Sequence, residues 1–366
     1  VTSELARIFL VISLLPASFL TIIVIPAVLL IPYTASVYNG LSRLFEMAFD
    51  IPYAVCVIVM AALTGIYVIA GGYMATAIND FIQGLIMLFG IVMVIVAVLK
   101  TNGGFTEALA GLASVQVGDN APGAFNSFFG PDPLNLLFVV ILTSLGTWGL
   151  PQMVQKFYAI KSEKDITKGT VISTVFALVV AGGCYFLGGF GRLFSDKLNV
   201  SGDMPAGGYD SIIPTMLENL PTIVIAVVIV LVLSASMSTL SSLVLASSST
   251  LTLDMIKGHI IKKMSEKKQV VLIRIFIVVF IAISAFIAIY QTQSQNESVK
   301  FIAQLMGVSW GALAGAFLAP FLYGLYWKGA SVAGVWVSFV FSTVMMLANV
   351  VAKSVFPVSL QSPINA

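Results

Sequence analysis

Residues 231–249 read LVLSASMSTLSSLVLASSS. They lie inside an apolar run covering about 221–254, the length of a helix that crosses a membrane. Hydroxyl-bearing residues crowd the second half of that run. Ala235, Ser238, Thr239 and Ser242 recur at i, i+3, i+4 and i+7, on one face of a helix. Sodium needs several oxygen ligands, as the other hard cations do. Two adjacent hydroxyls and a backbone carbonyl one turn earlier supply three. The same small residues also let membrane helices pack closely, so this stretch taken alone supports both readings.

The rest of the chain is of the same kind. Hydrophobic residues make up 59% of the 366 positions and charged residues 9%, with a mean hydropathy of +1.03. A soluble domain carries about 25% charged residues, so this surface is not built for water. Apolar segments of spanning length fall at about 7–37, 52–72, 76–100, 134–160, 166–191, 221–254, 269–290, 298–327 and 330–352. The first, from Arg7 to Val37, is expected to be interrupted at Pro16, Pro26 and Pro32. Cys56 and Cys184 lie in apolar runs and read as small core hydrophobes. The net charge of +2 gives no basis for a nucleic-acid partner. The start at Val1, without an initiator Met or a signal peptide, reads as a truncated chain.

Basic residues orient the spans. Lys156, Lys161, Lys164 and Lys168 flank one connection, and Lys257, Lys262, Lys263, Lys267, Lys268 and Arg274 flank another. With Arg7 and Lys328, these predict a cytoplasmic face by the positive-inside rule. Nine spans then place the amino end of this chain inside the cell and the 101–133 and 192–220 loops outside.

Enzyme chemistry has little to build on. The single histidine, His259, sits in a Lys-rich loop, and no metalloprotease, paired-Cys or nucleophile-elbow motif is present. Two other stretches carry more. In GGYMATAINDFIQG (71–84), Asp80 either caps an apolar helix or faces the bundle as an anionic ligand. In GTWGLPQMVQKF (146–157), two glycines and a proline interrupt a spanning helix. Such breaks open carbonyls and amide ends at the midplane, where secondary transporters bind solute. A plain packing kink is the competing reading.

At these three motifs the chain resembles the sodium:solute symporter family, especially its proline and pantothenate transporters. The resemblance also covers TASVYNGLSRLFEMAFDIPY (34–53), LTLDMIK (251–257) and GALAGAFLAPFLYGLYWKG (311–329), with MSTLSS (237–242) the most specific part. It departs at Ile78-Asn79, where the family has Trp-Thr. The resemblance implies an all-α membrane protein with the leucine-transporter-like bundle of two inverted five-helix repeats. Residues 1–100 would be the remainder of the first repeat, 134–327 the second repeat and 330–355 an accessory helix, in one domain with the first core helices missing.

The resemblance also implies a function, a monomeric secondary transporter in the cell membrane that couples inward sodium flow to uptake of a small organic solute. That solute would be an amino acid such as proline or a small carboxylate. Matching residue by residue, Ala235, Ser238 and Thr239 would hold the main sodium. Asp80, Ser241 and Ser242 match a second sodium site of some members, such as the sialic acid transporter. Thr147, Trp148 and Pro151 match the solute region of the proline branch, although Thr147 stands where that branch has an aromatic residue. The alternative is a transporter-like sensor domain of a signalling protein.

Overall fold

The computed structural model describes residues 16–116, 123–150, 152–153, 160, 162–197, 200–201, 204–205, 211–218, 220–293 and 302–355. Helix α1 (Pro16–Phe49) is followed by α2 (Tyr53–Thr101) and the short α3 (Phe105–Ser114). Helix α4 (Pro133–Ser144) runs into a 3-10 turn at Gly146–Gly149. After α5 (Glu163–Gly189) come a 3-10 segment (Phe190–Lys197), a two-residue hairpin pairing Val200–Ser201 with Met204–Pro205, and α6 (Ile212–Leu217). The Ser-rich stretch forms α7 (Thr222–Ser249), which continues as a π-helix (Thr250–Ile260). Helices α8 (Glu266–Gln293), α9 (Ile302–Tyr326) and α10 (Val332–Val355) complete the described bundle.

Local chemistry accounts for the breaks. Within α2, Gly72 takes φ 59° and ψ −169°, a conformation essentially reserved for glycine. It divides α2 into spans Tyr53–Gly72 and Met74–Thr101, with mean hydropathies of 2.4 and 2.8. At the start of α4, the Asp132 carboxylate accepts from the Asn135 backbone N–H at 3.0 Å, and Pro133 stands where a missing N–H costs nothing. Ser162 caps α5 in the same way, with Glu163 and Asp165 in its first turn.

The bundle is organised around α7, which packs against α1, α2 and α8. One core joins Tyr38 and Leu41 of α1, Val57 of α2, Leu240 and Val244 of α7, and Ile277 of α8. The Tyr53 hydroxyl donates to the Ala288 carbonyl at 3.2 Å and ties α2 to α8. The outward faces are apolar, as a lipid solvent requires. Ile172, Phe89 and Phe286 are exposed.

Two expectations need correction. The first span does not stop at Val37 and is not interrupted at Pro26 or Pro32: α1 is continuous to Phe49. Its last three turns carry the buried polar residues Asn39 and Ser42. Cys56 is buried as expected, whereas Cys184 is exposed and does not belong to a core.

Candidate ion and solute site

The hydroxyl face of α7 is formed as its spacing predicts. Ser238 donates to the Ala235 carbonyl at 3.0 Å, and Thr239 donates to the same oxygen at 2.9 Å. Both hydroxyl protons are thereby directed back onto the helix, which leaves the lone pairs of the two oxygens to face outward. A helical carbonyl points toward the following turn, so the Ala235 oxygen lies at the level of Ser238 and Thr239. Three oxygens from one turn therefore stand together. Leu240 and Ser241 of the next turn are buried, and Ser241 donates to the Ser238 carbonyl at 3.0 Å.

Two cavities meet at this turn. The larger, of 670 Å³, is lined by Ser238, Thr239 and Ser242 of α7, Asp80 and Gly84 of α2, Ile172 and Phe176 of α5, Gln152, and Tyr33 of α1. The smaller, of 430 Å³, is lined by Tyr33, Ser36, Gly40 and Arg43 of α1, Ala235, Ser236 and Thr239 of α7, and Leu217 of α6. Tyr33 and Thr239 line both, so they form the partition between them. The Tyr33 ring meets Trp310 of α9 edge to face, with centroids 5.5 Å apart and planes at 86°.

Asp80 and Ser242 thus share a cavity with Ser238 and Thr239, whereas Ser241 lines neither cavity. Asp80 follows Gly72 by two turns of helix. Its neighbour Asn79 donates to the Tyr67 hydroxyl at 3.0 Å, a bond that closes the elbow from one span to the other. The residue that departs from the family pattern therefore holds the elbow that carries the acid.

The break at 146–150 is present. Its 3-10 turn lies against α9 so closely that a Cβ on Gly149 would come within 2.8 Å of the Ala314 Cα. Thr147 turns its hydroxyl onto the Ser144 carbonyl at 3.1 Å, and Trp148 is 57% exposed. Both residues lie outside the two cavities. Pro151 lies outside the described residues.

Three lining residues went unnoticed in the sequence. Gln152, 7% exposed, follows directly on the break, and its side-chain carbonyl accepts no hydrogen bond among the described residues. Tyr33 follows Pro32 in an apolar run. Arg43 lies with Tyr33, Ser36 and Gly40 at i+10, i+3 and i+7 along one face of α1, a register that was legible in principle. Its guanidinium is braced by Glu46 at 3.4 Å and by the Tyr53 ring at 5.0 Å.

A bundle of apolar helices with a broken span and a partitioned interior is the architecture of a multi-pass membrane protein. The profile of the sodium:solute symporter family matches residues 11–346, and the chain belongs to that family. It is 31% identical over 307 residues to sodium/proline symporter 2 of Staphylococcus saprophyticus, an alignment covering 82% of this chain and 56% of that protein. The sodium/proline symporter of Staphylococcus aureus is 31% identical over 308 residues, with the same coverage. The chain thus spans about half the length of these relatives. In fold, it superposes on the substrate-bound outward-open state of a Na+-coupled sialic acid symporter with a TM-score of 0.66 at 17% identity. That superposition covers 92% of this chain and 68% of the other.

Proposed function

We propose that the protein takes up a small carboxylate-bearing solute, such as proline or another small amino acid, by coupling it to inward sodium flow. The observation that carries this reading is the paired donation of Ser238 and Thr239 to one carbonyl. It gathers three hard oxygens on a turn that borders both cavities. A sodium ion held there by Ser238, Thr239 and the Ala235 carbonyl replaces part of its hydration shell with fixed dipoles. Asp80 across the larger cavity, with Ser242 one turn farther along α7 and Ser241 beside it, is the set for a second sodium. Each positive charge moved inward contributes ~2.3 kcal/mol per 100 mV of membrane potential.

The solute occupies the interior beside the partition. The unpaired Gln152 carbonyl offers a hydrogen bond to an ammonium or imino group, and Arg43 on the approach offers a guanidinium to a carboxylate. Thr147, Trp148 and Pro151, on the broken span, are the alternative place for the solute. In this scheme residues 1–100 and 134–327 belong to the two repeats and 330–355 to an accessory helix. The Lys-rich connections face the cytoplasm, as does the amino end of this chain.

Uptake of radiolabelled proline into proteoliposomes, with sodium replaced by potassium outside, tests the reading. Sodium-dependent accumulation of proline or of a competing small carboxylate is expected. Equal accumulation in the two salts across a panel of amino acids and carboxylates contradicts it.

A further inference from the structure

The connection into α8 reads KKMSEKKQVVLIRIF over residues 262–276. Lys267 and Lys268 stand in the first turn of that helix and, with Met264, Val271, Leu272 and Ile275, line a groove of 360 Å³. Positions 264, 267/268, 271/272 and 275 repeat every three to four residues, so the groove follows a single stripe of the helix. Its chemistry changes along its length, from two ammonium groups at the mouth to a wholly aliphatic floor. From Lys268 to Ile275 is about 10 Å along the axis, enough to cross a headgroup layer of roughly 5–8 Å and reach the acyl chains. Val271 and Ile275 are 55% and 51% exposed, so the floor is open to lipid.

The mouth is held in place. Lys257 at the end of the π-helix donates to the Gln269 side-chain carbonyl at 3.2 Å, and the Gln269 amide donates to the Met264 carbonyl at 2.8 Å. These two bonds fasten the connection across the first turn of α8. Lys262 and Lys263 add charge beside the mouth, and Glu266 is the only acid between 262 and 268. The amino end of a 28-residue helix adds its own positive potential.

We propose that this groove is a binding site for an anionic phospholipid, with its phosphate on Lys267 and Lys268 and an acyl chain along Val271, Leu272 and Ile275. The charge chooses the headgroup, because a zwitterionic lipid gains little from two ammonium groups. The aliphatic floor chooses a lipid over a soluble phosphate. Each lysine at an anionic headgroup strengthens binding about fivefold, and a singly charged phosphodiester meets two positive charges here. Lys262 and Lys263, outside the groove, contribute only to the general surface potential. The site is independent of the solute reading above.

Native mass spectrometry of the full chain, with phosphatidylglycerol and phosphatidylcholine of identical acyl chains, reads the effect directly. The wild-type protein is expected to retain phosphatidylglycerol selectively. Lys267→Gln with Lys268→Gln should weaken that retention ten- to thirtyfold while leaving phosphatidylcholine adducts unchanged. Lys262→Gln with Lys263→Gln removes the same charge and should weaken it less than threefold. Both pairs are exposed, so elution profile and helical content should match wild type.

Competition with glycerol phosphate and with a polyglutamate peptide tells the lipid from other anions. Neither is expected to displace the bound phosphatidylglycerol. Equal losses from the two lysine pairs would reduce the site to diffuse charge and overturn the proposal. Displacement by the peptide would make the groove a docking place for an acidic protein segment and overturn it equally.

Discussion

Ser238 and Thr239, adjacent on α7, give their hydroxyl protons to one acceptor, the Ala235 carbonyl, at 3.0 and 2.9 Å. That oxygen also takes part in the helix ladder, so the protons are local and expendable. Removing either hydroxyl leaves the ladder intact. Stability and the proposed sodium affinity therefore separate at this turn, which makes substitutions there informative.

The broken span is held by the close approach of the 3-10 turn to α9. Gly149→Ala places a methyl group 2.8 Å from backbone at Ala314 and 3.1 Å from the Leu318 Cβ, neither of which can rotate away. Overpacking of this kind costs about 1–3 kcal/mol. Thermal unfolding in detergent should show a lowered midpoint for Gly149→Ala and an unchanged or slightly raised one for Gly188→Ala, where a Cβ meets nothing within 4 Å. Equal midpoints for the two variants would mean that the turn is not docked on α9.

The elbow in α2 gives a second test of the fold. Gly72→Ala forces an L-residue into a glycine-only conformation at a cost of order 1–3 kcal/mol, although a Cβ there meets no neighbour. Asn79→Ala removes the Tyr67 bond and leaves the backbone unstrained, at a cost of about 1 kcal/mol. Both should lower the unfolding midpoint, Gly72→Ala by more. The opposite order would place the constraint in the side-chain bond.

How much of this was legible beforehand differs by residue, for physical reasons. Gly72 and the 146–151 break were legible because glycine and proline report on their own backbone. Ser238 and Thr239 were legible because 3.6-residue periodicity is a property of the sequence. Gln152, Tyr33 and Arg43 are not legible in this way, because a polar side chain in a span faces either a helix or a cavity and only packing decides. The apolar run ends near Val37 because Asn39 and Ser42 are polar, whereas the helix runs on to Phe49 with both of them buried.

Gln152 and Trp148 separate two locations for the solute. Gln152 is buried with an unpaired carbonyl in the larger cavity, whereas Trp148 is 57% exposed on the 3-10 turn. Loss of one hydrogen bond to the solute corresponds to ~1–1.5 kcal/mol. The KM for solute should therefore rise roughly five- to tenfold in Gln152→Ala at saturating sodium, and by less in Trp148→Ala. A larger rise in Trp148→Ala would move the binding place to the broken span itself.

Orientation is tested by labelling. Cys184 is exposed and Cys56 buried, so a Cys184→Ser background removes the exposed native thiol. In that background, Lys263→Cys should react only when a membrane-impermeant maleimide reaches the cytoplasmic face. Ser127→Cys, exposed on the opposite connection, should react from outside. The reverse pattern would invert the topology.

The central claim is that the turn at Ala235–Thr239 holds the coupling sodium. Its most direct test is the sodium concentration for half-maximal solute uptake in the double variant Ser238→Ala, Thr239→Ala, reconstituted in proteoliposomes beside Ser247→Ala. Ser247 is buried farther along the same helix and serves as the packing control. Loss of two oxygen ligands, at about 1–2 kcal/mol each, predicts a rise of at least tenfold in that concentration, with near-wild-type expression and no comparable change for Ser247→Ala. Uptake by the double variant with an unchanged sodium requirement would contradict the assignment.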